Sequence, residues 1–288
     1  MLSLGTAQFG FDYGVSNETG KVGIQAVEEI LCFMRDNSIS HIDTAHSYGD
    51  CESILGKLGI NDFKVTSKMP DVSSYPYNKL SNWTEKIFFE SLNRLGLDKI
   101  DTVLVHSETF LLNDGGKIVW DKLNYLKNNG YIEKIGYSIY SPENLDFVVS
   151  KYKPDVVQTP FNVLDQRIIN SGWLRRLKKM GVQVEARSIF LQGLLLMPKE
   201  KRPSYFSDWE VYLRKVEQEA RSSGLSNLEF CLGAVASLEI FERIVVGVTS
   251  LSQIQEIFQS IDVSNSIKFK HLANNDARLI DPFRWNIE

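Results

Sequence analysis

Short apolar runs alternate with stretches of helical periodicity along most of this chain. Leu2 to Gly5 reads as a first strand, opening into Thr6, Ala7, Gln8 and a glycine-rich loop through Gly14. Val27, Ile30, Leu31 and Met34 recur at i, i+3, i+4 and i+7, which predicts a helix over about Gly23 to Asp36. A strand over Ile39 to Asp43 and a helix from about Cys51 to Leu58 follow, then a strand over Phe63 to Ser67 that runs into Lys68. Beyond Pro70 and Pro76, Ser81 is the expected N-cap of a helix with Phe88, Leu92 and Leu95 on its buried face. Asp101 to Val105 forms a fourth strand running into His106, and a helix near Lys117 to Asn128 stops at Asn129-Gly130. Lys134 to Ser138 is the fifth strand. Ser141-Pro142-Glu143 then places a capping hydroxyl, a proline and an acid where a helix begins.

The second half repeats the theme. Val156 to Gln158 and Val182 to Arg187 read as strands, with a helix over Trp173 to Met180 between them. Ser188 to Ser207, with Pro198 and Pro203, reads as a loop. Helices follow from about Trp209 to Arg221 and from Leu228 to Leu238, then a strand over Arg243 to Gly247. Ile254, Ile257, Phe258 and Ile261 mark a last helix. The tail from Ser264 to Glu288 carries Pro282, Phe283 and Trp285 and is expected to pack over one end of the domain. Short apolar strands alternating with helices predict a parallel sheet covered on both faces. Eight such units predict a closed (β/α)8 TIM barrel, a single α/β domain over residues 1–288 with 264–288 as its tail. An open dinucleotide-binding sheet would want GxGxxG after the first strand, where this chain has GTAQFG.

Composition narrows the function classes. The 288 residues are 43% hydrophobic and 24% charged, ordinary for a globular protein. A net charge of -4 argues against bulk affinity for nucleic acid or an anionic membrane. The N-terminus lacks a basic signal-peptide region, and no apolar run is long enough to span a bilayer. Cys32, Cys51 and Cys231 are sparse and odd in number, as expected for reduced thiols in a cytoplasmic protein. No histidine has metal-ligand spacing with cysteines or carboxylates, so no metal site is expected. Oligomeric state is not legible in the sequence.

In a barrel of this kind the active site lies at the C-terminal ends of the strands. That rule alone selects Thr6, Asp43, Lys68, His106, Ser138, Gln158, Arg187 and Gly247, with Tyr48 joining from the loop after Asp43. A phenol is too weak an acid to act as a base at neutral pH, and a neighbouring lysine ammonium is expected to lower its pKa. Asp43 would anchor Lys68, and His106 would orient a carbonyl oxygen. The set suits proton donation to a carbonyl oxygen while a cofactor delivers hydride to the carbon. Singly, each residue has an ordinary structural explanation as a cap, an ion pair or packing. Four on three successive strand ends favour chemistry. A two-carboxylate glycosidase site would need a second rim acid beside Asp43.

The segments LGTAQFG, DTAHSYGDCESILG, VTSKMP, TVLVHSE, GYSIYSPENL, VVQTPFN, ARSIFLQGLLL and VVGVTSLSQIQE resemble the aldo-keto reductase family over nearly the whole chain. The resemblance implies a (β/α)8 barrel that reduces aldehydes and ketones, small-molecule carbonyl substrates, with NADPH or NADH. It implies a catalytic tetrad of Asp43, Tyr48, Lys68 and His106, with Tyr48 as general acid. It implies that Ser138 and Gln158 hold the carboxamide, and that Arg187 takes the position of an aromatic ring that stacks on nicotinamide. The loop from Ser188 to Leu194, with Phe190, Gln192 and Gly193, is similar to the segment that wraps the pyrophosphate. Gly5, Thr6 and Gly247 belong to the cofactor side, and Glu256 would lie near the adenine. Where the family grips a 2′-phosphate with a basic residue, this chain has Thr249 and Gln253, which leaves NADH as well as NADPH open. Gln253 and Glu256 read equally well as an exposed helix face. Alongside a turning-over reductase stands an alternative, a reductase-like module that senses the cofactor while docked on a partner. The loops Gly10 to Asn17, Glu108 to Lys117 and Ser188 to Ser207 are expected to shape the substrate pocket. Tyr13, Phe110, Phe161 and Trp285 are candidate walls.

Overall fold

The computed structural model describes residues 2–71, 75–261 and 267–287. Eight parallel strands close into a barrel in sequence order: β1 (Leu2–Gly5), β2 (His41–Asp43), β3 (Lys64–Met69), β4 (Ile100–Val105), β5 (Ile132–Ser138), β6 (Val156–Pro160), β7 (Gln183–Arg187) and β8 (Arg243–Gly247). The last strand pairs back onto the first, with Gly5 opposite Gly247 on one side and Asp43 on the other. Closure removes the unpaired edges of an open sheet. Helices pack outside the barrel through their apolar stripes. Val27, Ile30, Leu31 and Met34 are the buried residues of the helix Ile24–Asp36.

One helix start differs from the sequence expectation. The helix Tyr77–Leu95 begins four residues before Ser81, just after Pro76 in extended conformation. Leu80, fully buried, and Thr84 extend the buried stripe of Phe88 and Leu95 toward the N-terminus. That burial outweighs what a Ser81 cap offers, since a cap contributes only about 1 kcal/mol. Leu92 is half-buried at the margin of the stripe. The segment after β7 is also more regular than a loop, with 3-10 turns at Leu194–Leu196, Lys199–Lys201 and Ser204–Trp209. Arg202 ties it down, donating to the Met197 carbonyl and pairing with Glu210 and Glu217.

Of the tail, residues 264–266 and 288 lie outside the described residues. Ile267, Phe269, Leu272, Leu279 and Ile280 are buried. The Trp209 indole N–H donates to Asp276, and the Trp285 ring meets Phe206 edge to face at 4.8 Å. No helix among the described residues is long and apolar enough to cross a membrane.

Candidate active site

The strand ends that carry ionisable groups meet in one place. Lys68 Nζ lies 2.5 Å from Asp43 Oδ1 and 3.0 Å from the Thr44 carbonyl oxygen, with Lys68 2% and Asp43 3% exposed. The lysine therefore cannot swing away to water. Its ammonium lies 5.3 Å from the centroid of the Tyr48 ring, and the His106 ring meets Tyr48 edge to face at 6.0 Å.

A turn positions Tyr48. Its backbone N–H donates to the Ala45 carbonyl, and its own carbonyl accepts from Cys51. Gly10 packs against that turn so closely that a Cβ on it would lie 1.8 Å from the Tyr48 carbonyl oxygen. Gly10→Ala is expected to push the turn outward and to lower kcat at least ~10-fold, since misplacement by about 1 Å costs on that order or more. Steady-state kinetics, with circular dichroism to confirm the fold, checks this. Unchanged kcat would show that the close packing has no bearing on Tyr48.

The phenol does not follow the sequence expectation of a lowered pKa. Burial pushes the Tyr48 hydroxyl well above its ordinary value, and the Asp43 charge adds to the push while the Arg187 guanidinium opposes it. The physical reason is that Asp43 already neutralises Lys68 at 2.5 Å, so desolvation dominates. The phenol holds its proton at neutral pH.

His106 is shifted the other way. Burial, then the Lys68 and Arg187 charges, lower its imidazole to about 3. His41, at the start of β2, is lowered to about 4 by burial and by Arg243. Both rings are expected to stay neutral at pH 5, which a proton–nitrogen NMR titration of the imidazoles checks directly. An unfolded histidine titrates near 6.5, so between that pH and the folded values the unfolded chain binds more protons. Stability is therefore expected to fall as pH drops from about 6.5 toward 4. Either His106 or His41 titrating near 6.5 in the folded protein would contradict the burial.

Beyond the tetrad, a cavity of about 1070 Å³ opens over the strand ends. Ligand pockets commonly measure about 300–1,000 Å³, so this one has room for a dinucleotide beside a small substrate. Its walls include Asp43, Tyr48, Lys68 and His106. They also include the residues assigned to the cofactor: Gly5, Thr6, Ser138, Gln158, Arg187, Ser188, Phe190, Gln192, Gly193, Gly247, Thr249, Gln253 and Glu256. Between Ser188 and Gly193 the backbone is left-handed at Ser188, Leu191, Gln192 and Gly193. Such strain persists where surrounding structure imposes it, typically at binding sites. The loop after β1 meets this segment, with the Ser16 N–H donating to the Gln192 carbonyl.

The residues present suit a nicotinamide ring. Gln158 Oε1 is buried and has no hydrogen-bond partner among the described residues, although Gln158 lines the cavity. A buried acceptor left open in this way calls for a donor such as a carboxamide N–H. The Arg187 guanidinium is held by the Ser138 and Ser188 hydroxyls and the Ile139 carbonyl, and its carbon lies 4.8 Å from the Tyr140 ring centroid. At the opposite end, Gln253 Oε1 accepts from the Thr249 N–H.

Of the aromatic wall candidates, Tyr13 lines the cavity, but Phe110 and Phe161 are buried in the core and Trp285 packs on Phe206. Phe11, Tyr140 and Phe283 supply aromatic surface instead. The Glu108 to Lys117 segment contributes nothing to the wall among the described residues, because Glu108, Phe110 and Leu111 turn inward. Asn227, at the start of the helix Asn227–Ala236, also lines the cavity. The Ser226–Glu229 capping box marks that helix start in sequence, but says nothing of which cavity it faces.

A closed eight-stranded parallel barrel with an Asp–Lys pair, a phenol and an imidazole around one cleft defines a class of protein. A family profile, the aldo/keto reductase family, matches residues 1–270, and the chain belongs to that family. An uncharacterised oxidoreductase of Bacillus subtilis, YtbE, is 30% identical over 162 residues, 54% of this chain and 55% of that protein. Another, C8E4.04 of Schizosaccharomyces pombe, is 27% identical over 194 residues, 59% of this chain and 57% of that protein. The chain thus matches little more than half the length of these curated relatives. Among solved structures, the aldo-keto reductase AKR11C1 of Bacillus halodurans, in holo form, superposes with a TM-score of 0.74 at 18% identity, covering 99% of this chain and 95% of that one. PA4992 of Pseudomonas aeruginosa gives 0.67 at 20% identity over 91% and 90%. These likenesses establish the fold.

Proposed function

We propose that this protein is a reductase that converts an aldehyde or ketone to an alcohol with a reduced nicotinamide dinucleotide, Tyr48 serving as general acid. The observation that carries the reading is the buried Lys68–Asp43 pair set beneath the Tyr48 ring at the mouth of the cavity. A bound reduced nicotinamide would supply the hydride. Ser138 and Gln158 would hold its carboxamide, and the loop from Ser188 to Gly193 would wrap its pyrophosphate.

The chain's own groups manage the proton. Tyr48 enters the reaction protonated, its hydroxyl ready to donate to the carbonyl oxygen. As negative charge grows on that oxygen and then on the phenolate, Lys68 stabilises it without moving. Asp43 holds the ammonium in place. The His106 Nδ1 lies 3.3 Å from the Ser47 hydroxyl. With Nδ1 accepting, the neutral ring carries its proton on Nε2 and can donate to the substrate oxygen. Single-turnover oxidation of the bound reduced cofactor by a panel of aldehydes and ketones tests the proposal. Absence of turnover with every carbonyl, while the cofactor binds, would favour the sensing module instead. The three free thiols, two of them buried, suit a cytoplasmic setting.

We also propose that the 2′-phosphate of NADPH finds no cation here, so that NADH is used as readily. Lys68 and Arg187 are the cationic lysine and arginine side chains on the described cavity wall, and both stand at the strand ends near Tyr48. Gln253→Arg is expected to tighten NADPH by ~10-fold or more, because a charge-assisted hydrogen bond contributes roughly 1.5–3 kcal/mol. NADH affinity should stay nearly constant. Titration of protein fluorescence with each dinucleotide checks both. Equal tightening of the two would place residue 253 away from the phosphate.

A further inference from the structure

Beneath the tetrad lies a buried polar chain, two members of which, Glu185 and Arg243, the proposed chemistry does not by itself require. Gln158 Nε2 donates to Asp43 Oδ2 at 2.7 Å and to Glu185 Oε2 at 3.1 Å. Glu185 Oε1 in turn accepts from Arg243 Nη1 at 2.7 Å. Gln158 and Glu185 are each 1% exposed, and Arg243 is 5% exposed. β2 and β6 are not neighbours in the barrel, so the bond from Gln158 to Asp43 crosses its interior. Ser138, Gln158, Glu185 and Arg243 stand in register across β5, β6, β7 and β8, forming one row.

The chemistry of this row fixes a direction. An amide side chain can present either its oxygen or its NH2 group, and its neighbours decide which. A carboxylate only accepts hydrogen bonds. With Asp43 and Glu185 both facing Gln158, both of its N–H groups are consumed. Its oxygen is then left as the atom without a partner among the described residues. Arg243 completes the logic from the other side, since a guanidinium only donates. Burial, with the Asp43 charge adding to it, pushes the Glu185 carboxyl upward, and the Arg243 guanidinium at 2.7 Å opposes that push by favouring the accepting carboxylate.

We propose that Glu185, held by Arg243, is a positioning residue that forces Gln158 to present its oxygen to the cavity, where it selects a ring substituent bearing an N–H donor. The inference rests on the reductase reading, in which that substituent is the nicotinamide carboxamide. Neither Glu185 nor Arg243 needs to touch the cofactor to act. Replacing Glu185 by glutamine makes the argument sharp. Arg243 would claim the oxygen of the new amide, turning its NH2 toward Gln158. Gln158 would then face one acceptor, Asp43, and one donor. Each of its two orientations would make one good contact and one bad one, and the directional preference would vanish.

The test compares reduced NAD with its reduced 3-acetylpyridine analogue, which keeps the carbonyl but replaces the amide NH2 with a methyl group. In the wild type the analogue should bind ~10-fold or more weakly, because it leaves the buried Gln158 oxygen unpaired. In Glu185→Gln that ratio should collapse to within about twofold, while ADP-ribose, which has no nicotinamide, should bind as it does to the wild type. Titration of both proteins, alongside their melting curves, reads all of these. Equal affinities in the wild type would overturn the proposal even if the variant failed to fold. A ratio retained in the folded variant would overturn it too, as would a parallel loss of ADP-ribose binding, which marks general damage to the site. If the wild type bound neither dinucleotide, the reductase reading itself would fall, an outcome distinct from loss of the ratio alone.

Discussion

Tyr48→Phe is expected to lower kcat by about two to four orders of magnitude, the usual contribution of a positioned general acid. Cofactor affinity should hardly change, because the substitution removes only one hydroxyl and keeps the ring against His106 and Phe11. Melting temperature should also be preserved. Steady-state kinetics with the best carbonyl from the panel, beside a cofactor titration, measures both quantities. Turnover near that of the wild type would move the proton donor to another group, with His106 the nearest alternative. The high pKa of the phenol sharpens the expectation. A hydroxyl that burial holds protonated loses its proton only to a stronger acceptor, and an oxyanion formed beside Lys68, as proposed, would be such an acceptor.

Lys68→Met should affect both activity and stability. The substitution leaves Asp43 ionised at a site only 3% exposed, with the Gln158 amide as its remaining side-chain partner. Breaking a buried pair from one side costs about 3–5 kcal/mol. For a chain of this size that is a fall in melting temperature on the order of 10 °C. Removing Asp43 as well separates the two roles. In the double variant Lys68→Met, Asp43→Leu, the uncompensated charge is gone, and most of the lost stability should return. Activity should not return, since neither the ammonium nor its anchor is present to stabilise the oxyanion. Thermal denaturation of the single and double variants, paired with single-turnover rates, decides the matter. A double variant less stable than Lys68→Met would mean that Asp43 stabilises the barrel through Gln158 rather than through the lysine.

Most of the architecture was legible in the order of the residues. The alternation of apolar strands and periodic helices predicts the barrel, because each pattern reports a local period that the backbone must satisfy. Strand-end positions led to Asp43, Lys68, His106, Ser138, Gln158 and Arg187, since the location of a barrel's active site is a rule of topology rather than of contact. The start of the helix Tyr77–Leu95 departs from the capping signal at Ser81 for a related reason. A capping hydroxyl is a local signal, whereas burial of Leu80 depends on what packs beside it.

The polar row inside the barrel illustrates what local patterns leave out. Glu185 sits in the middle of β7 and Arg243 opens β8, and a charge in a strand covered on both faces must have a partner. The sequence thus determined that such partners exist, as it determined the fold and the strand ends at which Asp43, Lys68 and His106 stand. Only the tertiary structure decided that residues 58 positions apart pair with each other and that Gln158 spans the barrel to Asp43. It alone decided that Phe110 and Phe161 face the core while Phe11 and Phe283 face the cavity. The same holds for the Tyr48 pKa, whose direction depends on the balance between desolvation and a lysine already neutralised. Periodicity is a property of neighbours along the chain. Pairing, burial and charge balance are properties of neighbours in space, and closing the barrel is what brings those neighbours together.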